Sequence, residues 1–164
     1  MDFGPATFIK AEQVHEAHAL ETEAFSPDEA ESLETFQRRQ TEAPELFIGL
    51  YEEGTTNLIA FICSTRSAGP TWTTQSMKTH LPLGECVCIH SVVVAKQHRK
   101  KGIARKLLSF YETHLLTLNP KPSKIVFVCK ENIIDFYKYL GYSYLGPSSE
   151  VYGSARWFSM EKLL

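Results

Sequence analysis

The chain has 164 residues, 43% of them hydrophobic and 12% aromatic, which suffices for one substantial core and falls short of two ordinary domains, so one domain over 1–164 is expected. A formal net charge of -2 gives no global electrostatic case for binding nucleic acid or an anionic membrane, so any basic site has to be local. Met1 to Lys10 lacks a cationic stretch followed by a long apolar run, no segment approaches a membrane span, and Cys63, Cys86, Cys88 and Cys129 sit in apolar, strand-like sequence; a soluble protein of the cytosol or nucleus with reduced core thiols is expected.

In chain order, Ala11 to Phe25 places Val14, Ala17, Leu20, Ala24 and Phe25 at helical spacing, which predicts a helix. Ser26-Pro27-Asp28-Glu29 reads as a second helix start running to about Gln40, with Ser26 as cap and Pro27 in the first turn. Leu46–Tyr51 and Leu58–Cys63, separated by a polar turn, predict a β-hairpin. Ser67 to Gly84 holds two prolines and no sustained period, so it reads as a long loop with a helical turn near Gln75 to His80. Strands are expected at Cys86–Val94, Lys124–Cys129, Tyr142–Leu145 and Ala155–Leu163, and helices at about Gly102–Leu118 and Asn132–Leu140, the latter ended by Gly141. That order predicts an α/β layer structure around a mixed sheet.

Between a buried strand and an amphipathic helix lies Arg99-Lys100-Lys101-Gly102-Ile103-Ala104, followed by Arg105. A helix start offers backbone N–H groups and the positive dipole end, and a glycine there lets a pyrophosphate approach the backbone closely. The flanking cations suit a ligand with several phosphates. The spacing is neither the three-glycine dinucleotide fingerprint nor a P-loop. Taken alone, the run also reads as a solvated helix start.

This segment resembles the Arg/Gln-x-x-Gly-x-Gly/Ala signature of the GNAT N-acetyltransferase superfamily, and Phe136-Tyr137-Lys138-Tyr139-Leu140-Gly141-Tyr142 is similar to that family's Phe-Tyr-x-x-Leu-Gly-Phe segment. Glu23 to Ala30, Ala43 to Phe47 and Ser76-Met77 with His80 resemble the serotonin, or arylalkylamine, N-acetyltransferase branch in its non-vertebrate form. The resemblance implies a single GNAT domain with a mixed, mostly antiparallel sheet flanked by helices, and acetyl-CoA as cosubstrate. It also implies that Val92, Val93 and Val94 run along the pantetheine arm, that Arg99 to Arg105 hold the pyrophosphate, and that the Val92 N–H polarises the thioester carbonyl.

Acetylating an alkylamine requires removing a proton from a group whose pKa lies near about 10, and histidine is the side chain matched to that task near neutrality. On the Cys86–Val94 strand, side chains alternate, so Cys86, Cys88 and His90 share a face. His90 is the candidate general base, acting through water. The resembling branch carries two histidines two residues apart here, and this sequence has Cys88 at the first; Cys88 is assigned to the pocket lining. Tyr137 matches the tyrosine that the family sets against the coenzyme sulfur, which makes it the candidate general acid. Cys86-x-Cys88-x-His90 has no second ligand cluster at zinc spacing, and no metal is expected.

Phe25, Pro27 and Trp157 are the candidate acceptor contacts, again by resemblance. An aromatic slot suits an arylalkylamine, and acids such as Glu21, Glu23, Asp28 or Glu29, expected near its mouth, suit a cation. The expected partner is a small-molecule amine, without nucleic acid or membrane, and a monomer is compatible with the sequence. Three alternatives stay open: acetylation of a polyamine or a protein amine, an acetyl-CoA-binding module without turnover, and an interaction protein using the basic run, which predicts salt-sensitive nucleic-acid binding.

Overall fold

The computed structural model describes residues 3–164. Among these, seven strands and four α-helices follow in the order β1 (Thr7–Phe8), α1 (Val14–Ala24), α2 (Leu33–Glu42), β2 (Phe47–Tyr51), β3 (Leu58–Ser67), β4 (Cys86–Val94), α3 (Ile103–Leu115), β5 (Lys124–Cys129), α4 (Ile134–Tyr139), β6 (Ser143–Pro147) and β7 (Phe158–Leu163). The strands form one sheet ordered β1-β2-β3-β4-β5-β7-β6. Its β4–β5 pair is parallel, while β1–β2, β2–β3, β5–β7 and β6–β7 are antiparallel. The sheet is mixed and mostly antiparallel, as the resemblance implies.

The start of α2, the start of the last strand and the opening at Thr7–Phe8 depart from expectation, and several other element ends move by a few residues. Ser26-Pro27 does not open α2: Glu29 N–H and Ala30 N–H close a turn on the Ser26 carbonyl at 2.9 Å each, and the Ser26 hydroxyl is spent on Asp28. Ser32 caps the helix instead, its Oγ accepting from Thr35 N–H at 3.2 Å. The last strand starts at Phe158 rather than Ala155, since the Trp157 indole is tied to the Tyr152 carbonyl. Thr7–Phe8, read only as an apolar opening, pairs with Gly49 and Ile48 as an edge strand.

The residues fall into two compact units. The first holds the chain up to Ser64 together with Ser91–His114. Its hairpin pairs Phe47 with Cys63 through Tyr51 with Leu58, and almost every residue of β2 and β3 is buried, which is why these strands read as apolar runs and not as alternation. Phe36, Phe47 and Phe61 meet with ring centroids 5.6–5.9 Å apart. Ile9, Val14, Ala17, Leu58 and Val93 complete that core. The second unit holds Thr65–His90 and Leu115–Leu164. Here β5 is the central strand, paired along its length with β7 from Lys124↔Leu163 to Cys129↔Phe158 and with β4 only from Cys86↔Lys124 to Cys88↔Val126.

Candidate active site

In the first unit, the end of β4 runs straight into the cationic turn. Val92 and Val94 are half-buried while Val93 sinks into the core, so alternation leaves one side of this strand end accessible. Ala95 N–H bonds the Ile59 carbonyl at 2.8 Å, and the Arg99 Nε donates back to the Val94 carbonyl at 3.0 Å. Lys100 and Gly102 both have positive φ, 62° and 76°. A Cβ at Gly102 would meet nothing within 4 Å, so the glycine is there for its backbone conformation. The first intrahelical bond of α3 runs from Lys106 N–H to the Gly102 carbonyl at 3.1 Å, which leaves the N–H groups of the first turn outside the helical ladder. Ile103 is buried beneath the turn, and Arg99, Lys100, Lys101, Arg105 and Lys106 are exposed.

A groove of about 480 Å³ continues along α3, lined by Gly102, Arg105, Lys106, Ser109, Phe110 and Thr113. Sequence reasoning missed its last three residues. Their signal was available, since they recur along the face of α3 opposite the buried Leu107, Leu108 and Tyr111. A helix start with unladdered N–H groups, a cationic rim and an adjacent groove with one aromatic wall fits a long polyphosphorylated ligand such as an acyl-CoA.

In the second unit, His90 is half-buried and held at both ring nitrogens. Thr65 Oγ1 lies 2.8 Å from its Nε2, and the Trp72 indole Nε1 lies 3.2 Å from its Nδ1. The Thr65 hydroxyl also donates to the Ser76 carbonyl at 2.8 Å. Neither Thr65 nor Trp72 carries a motif; both reach His90 from long-range positions that sequence spacing does not reveal. Cys88, two residues earlier on the same face, is fully buried and stands 3.3 Å from Ser67 Oγ. Burial raises its thiol despite hydrogen bonds to Ser67 and Ser76, so it is a neutral wall residue.

Tyr137, on α4, is buried and packed in tilted and edge-to-face contacts against Phe127, Phe136 and Tyr142 at centroid distances of 4.6, 5.2 and 5.7 Å. Burial, with a smaller push from Cys129, holds its hydroxyl above the usual tyrosine range. The helix ends where Tyr142 N–H bonds the Tyr137 carbonyl at 3.0 Å over Gly141 at φ 93°, the left-handed cap that the Leu-Gly pair predicts. Trp157 donates to the Tyr152 carbonyl at 2.6 Å and carries the Lys130 ammonium 5.9 Å above its ring.

Phe25 and Pro27 lie in the first unit. Phe25 packs on the Phe36–Phe47–Phe61 core and Pro27 is exposed in the turn. Glu21, on α1, is not at a mouth but buried at 3% exposure, with its pKa pushed up to about 7 chiefly by burial and opposed by a hydrogen bond from Ser91. The candidate residues therefore group as His90, Cys88, Tyr137 and Trp157 in one unit and Val92–Val94, Arg99–Arg105, Phe25 and Pro27 in the other, with His90 and Ser91 consecutive along β4.

The acetyltransferase (GNAT) family model matches residues 11–142, and the chain belongs to that family. It is similar to the serotonin N-acetyltransferase of Mesocricetus auratus, 25% identical over an alignment of 177 positions that covers 96% of this chain and 84% of that protein. Among solved structures, the loading GNATL domain of CurA from Lyngbya majuscula matches with a TM-score of 0.86 at 18% identity, over 99% of this chain and 98% of that one. The GphF GNAT-like decarboxylase in complex with isobutyryl-CoA matches with a TM-score of 0.80 at 17% identity, over 98% of this chain and 99% of that one. At these identities the two structures establish the GNAT fold alone; the family match makes the chain an acetyltransferase of the kind that acts on amines.

Proposed function

We propose that the protein, read as one domain over 1–164, transfers an acetyl group from acetyl-CoA to the primary amine of a small arylalkylamine, with both substrates bound together. The observation that carries this reading is β4 itself: one strand presents an imidazole held at both nitrogens and then leads, within nine residues, into the cationic turn that opens α3 and its adjoining groove. The similarity to a serotonin N-acetyltransferase supports the acceptor class, and a neighbour holding isobutyryl-CoA supports the cosubstrate class.

Acetyl-CoA supplies an electrophilic thioester carbonyl and a thiolate leaving group. The first-turn N–H groups of α3 and the side chains of Arg99, Lys100, Lys101 and Arg105 hold its phosphates, and the half-buried backbone at Val92–Val94 receives its arm. His90 takes a proton from the acceptor ammonium at Nδ1, since its other nitrogen already carries hydrogen. The Val92 N–H donates to the carbonyl oxygen as charge builds there. Tyr137, whose raised pKa keeps it protonated through the physiological range, gives its proton to the departing sulfur; the second proton that the amine nitrogen sheds as the amide forms restores the Tyr137 hydroxyl, and the proton held by His90 leaves to solvent. Phe25, Pro27, Cys88 and Trp157 are assigned to the acceptor side, where buried, neutral Cys88 excludes a second titrating group beside His90.

The test is coenzyme A release by the purified protein across tryptamine, serotonin, phenethylamine, spermine and a lysine peptide. Turnover on the arylalkylamines that collapses in His90→Ala and Tyr137→Phe supports the reading. Preference for spermine or the peptide transfers the same chemistry to a polyamine or protein acceptor, and acetyl-CoA binding without turnover on any amine makes the chain a binding module.

A further inference from the structure

The partners of His90 fix where its hydrogen sits. The Thr65 hydroxyl has one hydrogen, donated to the Ser76 carbonyl at 2.8 Å, so toward His90 it offers a lone pair and Nε2 must be the donor across their 2.8 Å contact. An indole N–H only donates, so Nδ1, 3.2 Å from Trp72 Nε1, must be the acceptor. The ring is therefore neutral with hydrogen on Nε2, and the one lone pair that can take a proton is already engaged. Cys88, the titratable neighbour on the same strand face, stays a neutral thiol. Trp72 is itself buried, its ring centroid 6.1 Å from that of His90. The loop that carries it is pinned through Thr74, whose N–H and hydroxyl both reach Glu150 Oε2.

We infer that Trp72 is a positioning residue that holds His90 in its proton-accepting tautomer and caps Nδ1 until the acceptor amine, or a water relaying its proton, displaces the indole. An ammonium N–H and an indole N–H are both donors, so they compete for one lone pair, and the resting site presents its base already turned toward the position the amine will occupy. The inference rests on the reading of His90 as general base.

The experiment is ¹⁵N NMR of the histidine side chains in the purified protein, with His90→Gln to assign the signal and Trp72→Phe to remove the donor while keeping an aromatic ring, alongside the pH profile of kcat/KM. The wild type should show a neutral ring with hydrogen on Nε2 and a hydrogen-bonded Nδ1. In Trp72→Phe the Nδ1 resonance should move toward that of an unbonded nitrogen. The acid limb of kcat/KM should shift to higher pH by about half to one unit, because a donor worth roughly 1 kcal/mol no longer favours the neutral ring. A wild-type ring with hydrogen on Nδ1 overturns the proposal, and this single spectrum decides it should Trp72→Phe fail to fold. Turnover lost in His90→Gln but with the Trp72→Phe spectrum and acid limb unchanged overturns Trp72's role alone. Turnover intact in His90→Gln overturns the base reading and the proposal with it.

Discussion

Glu150 accepts two hydrogen bonds from Thr74, one from its backbone N–H at 3.2 Å and one from its hydroxyl at 3.1 Å, both on Oε2. This ties the segment 68–85 to the segment joining β6 and β7, at a separation of 76 residues in sequence. Bonds to a charged acceptor are worth about 1.5–3 kcal/mol each when buried, less when partly exposed as here. Glu150→Ala should lower stability by about 1–2 kcal/mol and speed amide hydrogen exchange across Thr73–Met77, with exchange in β5 unchanged. Uniform protection in both segments would show that the clasp does not hold the loop.

Tyr137 tests the acid step without disturbing the ring packing. Tyr137→Phe keeps the contacts with Phe127 and Tyr142 and removes only the hydroxyl, so kcat should fall by about 100-fold or more while the melting temperature stays close to the wild type. Because burial raises the hydroxyl above the ordinary tyrosine range, it remains protonated through pH 10. Any basic limb of the rate profile below that pH should accordingly persist in the variant at the same position.

Most elements were legible because their signals are local. The bounds of Cys86–Val94 and Lys124–Cys129 coincide with β4 and β5, since each is a mostly apolar, β-branched run with charged residues at or just beyond its ends. The start of α2 was misread because two serine caps compete within seven residues, and the first is consumed by its own turn at Asp28. The cationic turn and Tyr137 were visible as motifs. The setting of His90 was not: Thr65 and Trp72 lie 25 and 18 residues away, and nothing in a threonine of one strand or a tryptophan of a loop announces which imidazole it faces. Glu21 sits at the periodic position that Val14 and Ala17 define, but its charge argued for a solvent-facing role, and its burial was not read from the sequence.

Gly102 offers a test of the proposed coenzyme contacts that leaves the proposed acceptor contacts untouched. Its φ of 76° costs a residue with a side chain about 1–2 kcal/mol, even though the space beside it is open. Gly102→Ala should raise the KM for acetyl-CoA several-fold and leave the amine KM within about twofold, consistent with a shift of roughly 1 kcal/mol in one binding step. Equal rises in both constants would mean that this turn does not serve the coenzyme separately.

Glu21 makes stability fall as pH rises. Its carboxyl is shifted from 4.5 to about 7, with burial outweighing the opposing Ser91 hydrogen bond, the Glu31 N–H and the Arg39 charge. A raised folded-state pKa means that the native state binds the proton more tightly than the unfolded chain does. The contribution is therefore fully present below about pH 4.5 and is lost as pH climbs through about 7. The loss amounts to roughly 3 kcal/mol at pH 8. Glu21→Gln keeps the shape and can still bond Ser91, but it removes the titration. Chemical denaturation at pH 5 and pH 8 should show the variant gaining about 2–3 kcal/mol on the wild type between the two. A difference that does not change with pH would mean that Glu21 is ionised in the fold throughout this range, with Arg39 neutralising it where it lies.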